Sequence, residues 1–291
     1  MNKASTINRF SFSNLIEKHS RGLSHTFAMY IRLISVQLRS QLQYRVAFSF
    51  DLFSTLTVVL LEFGALALVF ERFEHIRGWS LGEVAFLYGL VEIAFGLMDM
   101  IFSGFDPQRF GQEVRRGSFD QLLLRPINIT VQVLGSEFII RRLAKVASGT
   151  LIFLFALNLT EIQWTVAKVS YLPLVVLGML LFFGGLFIIG STITFWTVES
   201  IEVMNILTYG GSFLNSYPMH IYQTPIRRIF TYIVPAIFLN YYPALYFLDK
   251  PDPFNFPWFA PFLSPVVGIG TLALALAVWR FGIRHYKSTG T

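Results

Sequence analysis

The feature of this sequence that most limits its fold is a series of apolar segments, each about 20 residues long. Such segments cross the hydrocarbon core of a bilayer as helices, because a helix satisfies its backbone hydrogen bonds internally. Charged residues make up 14% of the chain, whereas soluble domains carry about 25%. We therefore predict an all-α membrane protein. The six predicted spans cover residues 46–70, 84–102, 143–159, 171–196, 203–222 and 259–279.

The polar residues divide the chain into three regions. Residues 1–45 are predicted to form a polar cytoplasmic tail and then an amphipathic helix in the membrane interface, because apolar residues recur there at helical spacing. A buried helix of a soluble protein would show a similar pattern, but a predicted span follows at once. Residues 46–283 form the predicted transmembrane domain, and residues 284–291 a short cytoplasmic tail. The apolar face of the amphipathic helix would consist of Phe27, Tyr30, Ile31, Ile34, Leu38 and Leu42.

The apolar segment 226–248 contains Pro235, Asn240 and Pro243. It is therefore either a complete crossing or a re-entrant hairpin that enters and leaves the membrane on one side. Short cytoplasmic segments are rich in Lys and Arg. With a hairpin, most of the 23 Lys and Arg residues fall on the same side as the two termini. We therefore predict six spans plus a re-entrant hairpin, in the cell inner membrane, with both termini cytoplasmic.

The longest polar segment between two spans comprises residues 105–140 and is called the polar loop below. Its sequence predicts a helix over residues 109–116 and a left-handed break at Gly117. Ser118 would begin a second short helix, with Gln121 completing a capping box. Cationic ends and a leucine-rich middle suit docking to a partner, although a loop with a purely topological role would have a similar composition.

Two carboxylates lie near the middle of predicted spans, Glu62 in the first and Glu92 in the second. A carboxylate at this depth has to be protonated, paired, or turned towards protein or water. The apolar spans offer no basic residue at a similar depth, so we do not expect an ion pair within the chain. Both carboxylates are candidates for lining a substrate pathway, and so are Asn215 and Asn240, which are polar residues in apolar segments.

Asp51 and Asp99 lie nearer to the ends of their spans, on the side of the polar loop. We expect these two carboxylates to pair with arginines such as Arg45 or Arg109. Such pairing would give them a structural role rather than a role in transport.

The residue patterns of common enzymes and of metal or nucleic-acid sites are missing from this sequence. It has no cysteine, no phosphate-binding P-loop and no G-x-S-x-G serine motif, and its five histidines are scattered. The basic residues flank apolar spans instead of covering a water-facing fold, which disfavours nucleic-acid binding. We therefore predict neither an enzyme nor a metal site, and no bound cofactor in this chain.

Two motifs resemble the membrane subunits of type-2 ABC exporters. The first is VRRGSFDQLLLRP, over Val114–Pro126 in the polar loop. The second is YPMHIYQTPIRRIFTYIVPAIFLNYYPALYFL, over Tyr217–Leu248. The order of elements is similar to that family along nearly the whole chain, from the amphipathic helix to the last span.

The resemblance implies a permease without its own ATPase domain. It would pair with a second permease, identical or related, and with separate ATPase subunits that bind ATP and Mg²⁺. In such transporters the loop after the second span is the coupling helix, and a re-entrant stretch, here with Pro235 and Pro243, caps the outer end of the pathway. The substrate would be amphiphilic: lipid-like, a drug or a glycan. The residues that would contact the ATPase are Arg115, Arg116, Gly117, Ser118, Asp120, Leu123 and Arg125.

The alternative function is an ion-coupled secondary transporter that uses the carboxylates in the spans. That class commonly has two short, interrupted spans in corresponding positions of two halves. This sequence has one interrupted segment, in its second half. A membrane-embedded enzyme, the third option, lacks a nucleophile or metal cluster, so the permease is the preferred prediction.

Overall fold

The chain forms a bundle of long helices. The computed structural model describes residues 28–197 and 202–288, so most of the predicted N-terminal tail lies outside the described residues. Within these ranges the only β-type pairing is a single bridge between Ile76 and Trp79. In chain order the helices are α1 (28–43), α2 (Arg45–Arg72), α3 (Leu81–Ile101), α4 (Pro107–Arg115), α5 (Ser118–Leu123), α6 (Ile129–Ser136), α7 (Leu143–Leu159), α8 (Val166–Thr197), α9 (202–215), α10 (Thr224–Ile233), α11 (Ala236–Phe247) and α12 (Ser264–His285).

Five of these helices are long and apolar enough to cross a membrane: α2, α3, α7, α8 and α12. They correspond to five of the six predicted spans. The sixth, predicted over 203–222, is interrupted: α9 ends at Asn215 and contains a π-helical turn over Ile206–Gly210, and a separate 3₁₀ turn follows over Met219–Ile221. Pro218 explains the early end, because a proline disfavours helical backbone at the residue before it and has no N–H to donate.

The bundle has two ends, and contacts place each element at one of them. The loop end carries the polar loop, where the Gln37 side chain of α1 donates to Ser136 O at 2.6 Å. Ser288, just after α12, donates to Asp120 at 2.6 Å at the same end. The distal end carries the links between α2 and α3 and between α7 and α8. Residues 28 and 288, the two ends of the described chain, therefore lie near the loop end, and the side of the membrane on which the termini lie stays a prediction.

Helices α10 and α11 form a bent pair with an angle of 79° between them. The bend falls at Val234, which is extended (φ −116°, ψ 92°), and at Pro235, which follows it. Pro243 lies in the first turn of Tyr241–Phe247, the regular α-helical part of α11, where a missing N–H is tolerated. A bent pair of this kind is either a broken span or a re-entrant hairpin.

Glycines allow the closest helix contacts in the bundle. A Cβ added to Gly268 of α12 would lie 2.3 Å from Gly178 O of α8, so the two backbones touch at this crossing. A Cβ on Gly149 of α7 would lie 2.6 Å from Glu92 Cβ of α3. Small residues at such positions are typical of membrane helices, where close packing replaces the hydrophobic driving force.

Helix α1 contacts the polar loop through polar side chains. Besides the contact of Gln37, Gln41 donates to Phe138 O and accepts from Ile140 N. Ile31 and Leu42, which we placed on the apolar face, are 45% and 46% exposed. The position of α1 in a membrane interface stays a prediction.

Helix α2 is the least buried of the long helices. Of its 28 residues, only Val59 and Phe70 are buried. Large apolar side chains such as Phe50 and Phe53 are 70% and 68% exposed. An apolar helix with so little cover inside the chain has to face lipid or another protein.

Candidate functional site

The polar loop folds as predicted in outline, with two corrections. Its first helix begins at Pro107 instead of Arg109, because the Asp106 side chain caps it by accepting from Arg109 N at 3.0 Å. Gly117 has the predicted left-handed backbone (φ 70°) and is itself the N-cap of α5. The capping box at Ser118 is wrong, since the Ser118 hydroxyl instead donates to Glu113 O at 3.0 Å and to the Glu113 carboxylate.

Two phenylalanines anchor the polar loop to the long helices. Phe119, on α5, has no exposed surface, and its ring lies 5.1 Å from that of Phe195 in α8. Phe110, on α4, lies 5.5 Å from Trp279 in α12. We call this group the aromatic cluster, and its members are Phe105, Phe110, Phe119, Phe195, Trp279 and Tyr286. Because tightly packed rings resist relative movement, the loop is attached firmly to α8 and α12.

Tyr286 closes the aromatic cluster beside Asp120. Burial, and then the nearby Asp120 carboxylate, raise the pKa of this phenol to about 12. The ring therefore stays uncharged near neutral pH, as a position against Phe119 requires.

The surface of the polar loop is cationic with a leucine centre. Arg115, Arg116 and Arg125 are exposed, and Leu123 is 38% exposed. Leu124 belongs to the predicted leucine-rich middle but not to the predicted ATPase contacts, and at 86% exposed it is the most exposed apolar side chain of the loop. The run of three leucines was the available signal: Leu122 and Leu123 end α5 and Leu124 is its C-cap, and so short a helix cannot bury all three side chains.

Asp51 and Asp99 form the expected ion pairs, but with other arginines. Arg141 lies 2.9 Å from Asp51, and Arg142 lies 2.8 Å from Asp99. Arg109, one of the expected partners, instead pairs with Glu137. The two adjacent arginines between α6 and α7 therefore connect the polar loop to α2 and α3.

Glu92 forms an ion pair that we did not expect. It lies near the middle of α3, is 7% exposed, and its Oε1 lies 3.5 Å from Lys145 Nζ of α7. A Cβ on Gly96 would lie 3.4 Å from Lys145 Cβ, so the lysine side chain runs along one turn of α3 to reach the carboxylate. The sequence signal was the spacing of Lys145 and Gly149, which puts both on one face of α7.

Glu62 is placed differently from Glu92. It lies on the open face of α2, is exposed, and accepts a hydrogen bond from Tyr88 OH of α3 at 3.2 Å. The structure thus brings the two predicted carboxylates to neighbouring places between α2, α3 and α7, with Tyr88 and Lys145 as their partners. A hydrogen-bonding group is left over, because Glu92 Oε2 is buried without a partner.

Asn215 and Asn240 hold the bent pair to the bundle. Asn240 is fully buried, and its side-chain amide donates to Leu87 O of α3 at 3.0 Å and to Asn215 O at 2.9 Å. Asn215 is 1% exposed, and its own amide donates to Gly211 O. These contacts give both asparagines a role in fastening α9, α3 and α11 together.

Within the described ranges no group of three His, Asp or Glu side chains is placed to hold a metal ion. The described residues offer an exposed cationic and apolar surface at the loop end, and a polar cluster of Glu62, Tyr88, Glu92 and Lys145 among apolar helices.

Comparison with known proteins assigns the chain to a family. It matches the ABC-2 family transporter protein family over residues 56–290, which includes all the long helices except the start of α2. No match to this chain was found among curated proteins or among solved structures. Permease domains of this family are transport subunits without an ATPase site of their own. The apolar helices and the family match together show that this chain belongs to the ABC-2 family and is a multi-pass membrane subunit of a type-2 ABC transporter.

Proposed function

We propose that the chain is the permease subunit of an ABC exporter for an amphiphilic substrate and that the polar loop is its coupling element. The loop end would then be cytoplasmic and would seat against a separate ATPase, which binds ATP and Mg²⁺. The bent pair would be a re-entrant hairpin at the outer end of the pathway. Within the family, a permease of this kind works with an ATPase subunit and as a membrane dimer.

The observation that supports this proposal is that the polar loop has an exposed cationic and apolar surface, while its other side is anchored in the buried aromatic cluster. Leu124 projects from the loop, and Arg115, Arg116 and Arg125 of the same loop are exposed as well. An exposed apolar side chain inside a cationic rim is typical of the centre of a protein interface. A purely topological loop would need the arginines but not a projecting leucine.

In this proposal the aromatic cluster connects the polar loop mechanically to α8 and α12. A push of the ATPase on α5 would act on Phe119, which packs against Phe195 of α8 and Tyr286 beside α12. Because α8 and α12 touch along their backbones at Gly178 and Gly268, they would move as one unit. ATP-driven movement of the loop would thereby be passed to α8 and α12, and α12 contacts the bent pair through Ser264, whose hydroxyl donates to Leu239 O.

The pathway is proposed to lie along the open face of α2. Glu62 is exposed there, and the other residues of α2 from Val58 to Phe70 are apolar; a carboxylate facing hydrocarbon would be costly. A second permease packed against α2 would cover the exposed apolar side chains and leave Glu62 and Tyr88 beside a polar space between subunits. The ion pair of Glu92 and Lys145, between α3 and α7, would border this space on the side away from the second subunit.

Substitution of Leu124 with Glu tests the coupling surface. We expect the variant to fold and insert normally, since the side chain is 86% exposed, and to bind the ATPase about 10 to 100 times more weakly. That range corresponds to losing the burial of one leucine, roughly 1.5–3 kcal/mol. Co-purification with the ATPase and the ATPase activity of the complex are the measurements.

Arg280→Gln is the control, because it changes the charge by the same amount at an exposed position on α12. It should retain ATPase binding. Equal ATPase binding by Leu124→Glu and wild type would leave the polar loop with a topological role only.

Substitution of Glu62 with Gln tests the pathway. The amide keeps an oxygen that can accept from Tyr88 OH, so the thermal unfolding midpoint should change little while the charge is lost. We expect the uptake of ethidium and of a fluorescent phospholipid into inside-out vesicles to change several-fold in rate or in relative preference. Glu71→Gln, at an exposed position near the end of α2, is the matched control and should behave as wild type. Unchanged uptake of both probes by Glu62→Gln would remove Glu62 from the pathway.

A further inference from the structure

A small cavity at the distal end of the bundle lies between α10 and the segment after α11. Its volume is about 230 Å³, which is below the roughly 300–1,000 Å³ typical of pockets for drug-sized molecules. The cavity therefore suits a headgroup and not a whole amphiphile. The residues around it that matter here are Arg227, Arg228, Thr231, Tyr232, Phe254 and Phe256.

The two arginines at this cavity have no acidic partner in the described part of the chain. The lysines of the same end are both paired, Lys168 with Asp249 at 2.7 Å and Lys250 with Glu83 at 2.9 Å. No Asp or Glu among the described residues comes within 4.0 Å of Arg227 or Arg228. The cavity thus carries two adjacent positive charges that no residue in 28–197 or 202–288 neutralises.

Asp252 is the carboxylate of the segment that lines the cavity, and it is already engaged. Its oxygens accept hydrogen bonds from Phe254 N at 2.9 Å, from Phe256 N at 2.6 Å and from Tyr242 OH at 3.3 Å. These contacts shape the segment that presents Phe254 and Phe256 to the cavity. Asp252 therefore builds the site and leaves the arginines available.

Arg227 is held in position by an aromatic ring. The centre of its guanidinium lies 4.6 Å from the centroid of Phe254. This cation–π contact uses no hydrogen-bond acceptor, so the N–H groups of the guanidinium that do not face the ring can donate to an anion. A guanidinium fixed in this way is well suited to bind two oxygens of one anion.

The same arm of the bent pair carries an apolar surface next to the arginines. Tyr232 and Ile233 are each 74% exposed, and Ile229 is 42% exposed. In a membrane protein such side chains contact acyl chains. The cavity therefore presents cations for a headgroup directly beside a surface for a hydrocarbon tail.

We propose that this cavity binds the phosphate group of an anionic phospholipid in the leaflet at the distal end. Arg227 and Arg228 bind the phosphate oxygens, Thr231 and Tyr232 border the headgroup, and the tail lies along Ile229 and Ile233. The bound lipid stabilises the bent pair at its bend. This site does not depend on the direction of transport or on the ATPase.

Native mass spectrometry of the full-length permease, titrated with phosphatidylglycerol or phosphatidylcholine in detergent, tests this proposal. We expect phosphatidylglycerol to bind preferentially. Arg227→Gln and Arg228→Gln should each weaken its binding about tenfold, as for the loss of one charge-assisted hydrogen bond. Arg227→Lys keeps the charge but cannot form a bidentate contact. Its affinity for phosphatidylglycerol should therefore lie between those of Arg227→Gln and the wild type.

Arg72→Gln is the control, because Arg72 is an exposed arginine at the distal end of α2, apart from the cavity residues. It should leave lipid binding unchanged. If inorganic phosphate alone stabilises the wild type, but not Arg227→Gln, against thermal unfolding, the cavity binds phosphate, and a soluble phosphate can be its ligand. Equal binding of the two lipids, or equal loss of lipid with Arg72→Gln, would overturn the proposal.

Discussion

Replacement of Gly268 with alanine is expected to destabilise the helix bundle by about 3 kcal/mol, at the upper end of the usual cost of overpacking. The added Cβ would lie 2.3 Å from Gly178 O and 2.8 Å from Gly178 Cα. Both are backbone atoms of α8, so no side chain can rotate to make room. Helices α8 and α12 would have to separate, and the contacts of their whole interface would weaken together.

Gly270 is the matched control for this prediction. It lies two residues further along α12, and a Cβ there would meet nothing within 4 Å. Gly270→Ala should be neutral or stabilising by about 0.5–1 kcal/mol, because alanine has the higher helix propensity. The thermal midpoint of each detergent-solubilised variant, followed by size-exclusion chromatography after heating, is the measurement. If the two variants shift the midpoint in the same direction and to the same extent, the backbone contact at Gly178 is not the cause.

Replacement of Lys145 with methionine is expected to cost about 3 kcal/mol as well. The substitution keeps most of the side-chain volume but leaves Glu92, which is 7% exposed, without its cation. Breaking a buried ion pair by removing one partner typically costs about 3–5 kcal/mol, and we expect the lower value because the Lys145 side chain is 22% exposed. Glu92 would respond by taking up a proton or by pulling water between α3 and α7.

A double-mutant cycle separates the ion pair from other effects of the substitution. Glu92→Gln alone should cost less than Lys145→Met, because lysine can extend towards the end of the span. The double variant should be more stable than Lys145→Met, with a coupling energy of about 1–3 kcal/mol. SDS-induced unfolding followed by tryptophan fluorescence measures all three variants. A coupling energy near zero would show that the 3.5 Å contact contributes no net stability.

Sequence alone determined the features that depend on local composition and periodicity. The apolar segments fixed the five long helices, because a run of about 20 apolar residues can satisfy its backbone in a membrane only as a helix. The break at Gly117 followed from the preference of glycine for left-handed backbone, and the bend at Pro235 from the missing N–H. The VRRGSFDQLLLRP motif identified the family, which the match over residues 56–290 shows.

Tertiary structure decided which side chains meet. Lys145 and Glu92 are 53 positions apart in the printed sequence, and only the close approach of α3 and α7 at Gly149 brings them into contact. In the same way, Arg142 instead of Arg45 or Arg109 reaches Asp99, and Leu124 instead of Leu123 projects furthest from the polar loop. Hydropathy and spacing specify depth and helix face, but partners across a bundle depend on how closely the helices approach and in what register. Those quantities are set by contacts between residues that are distant in the chain.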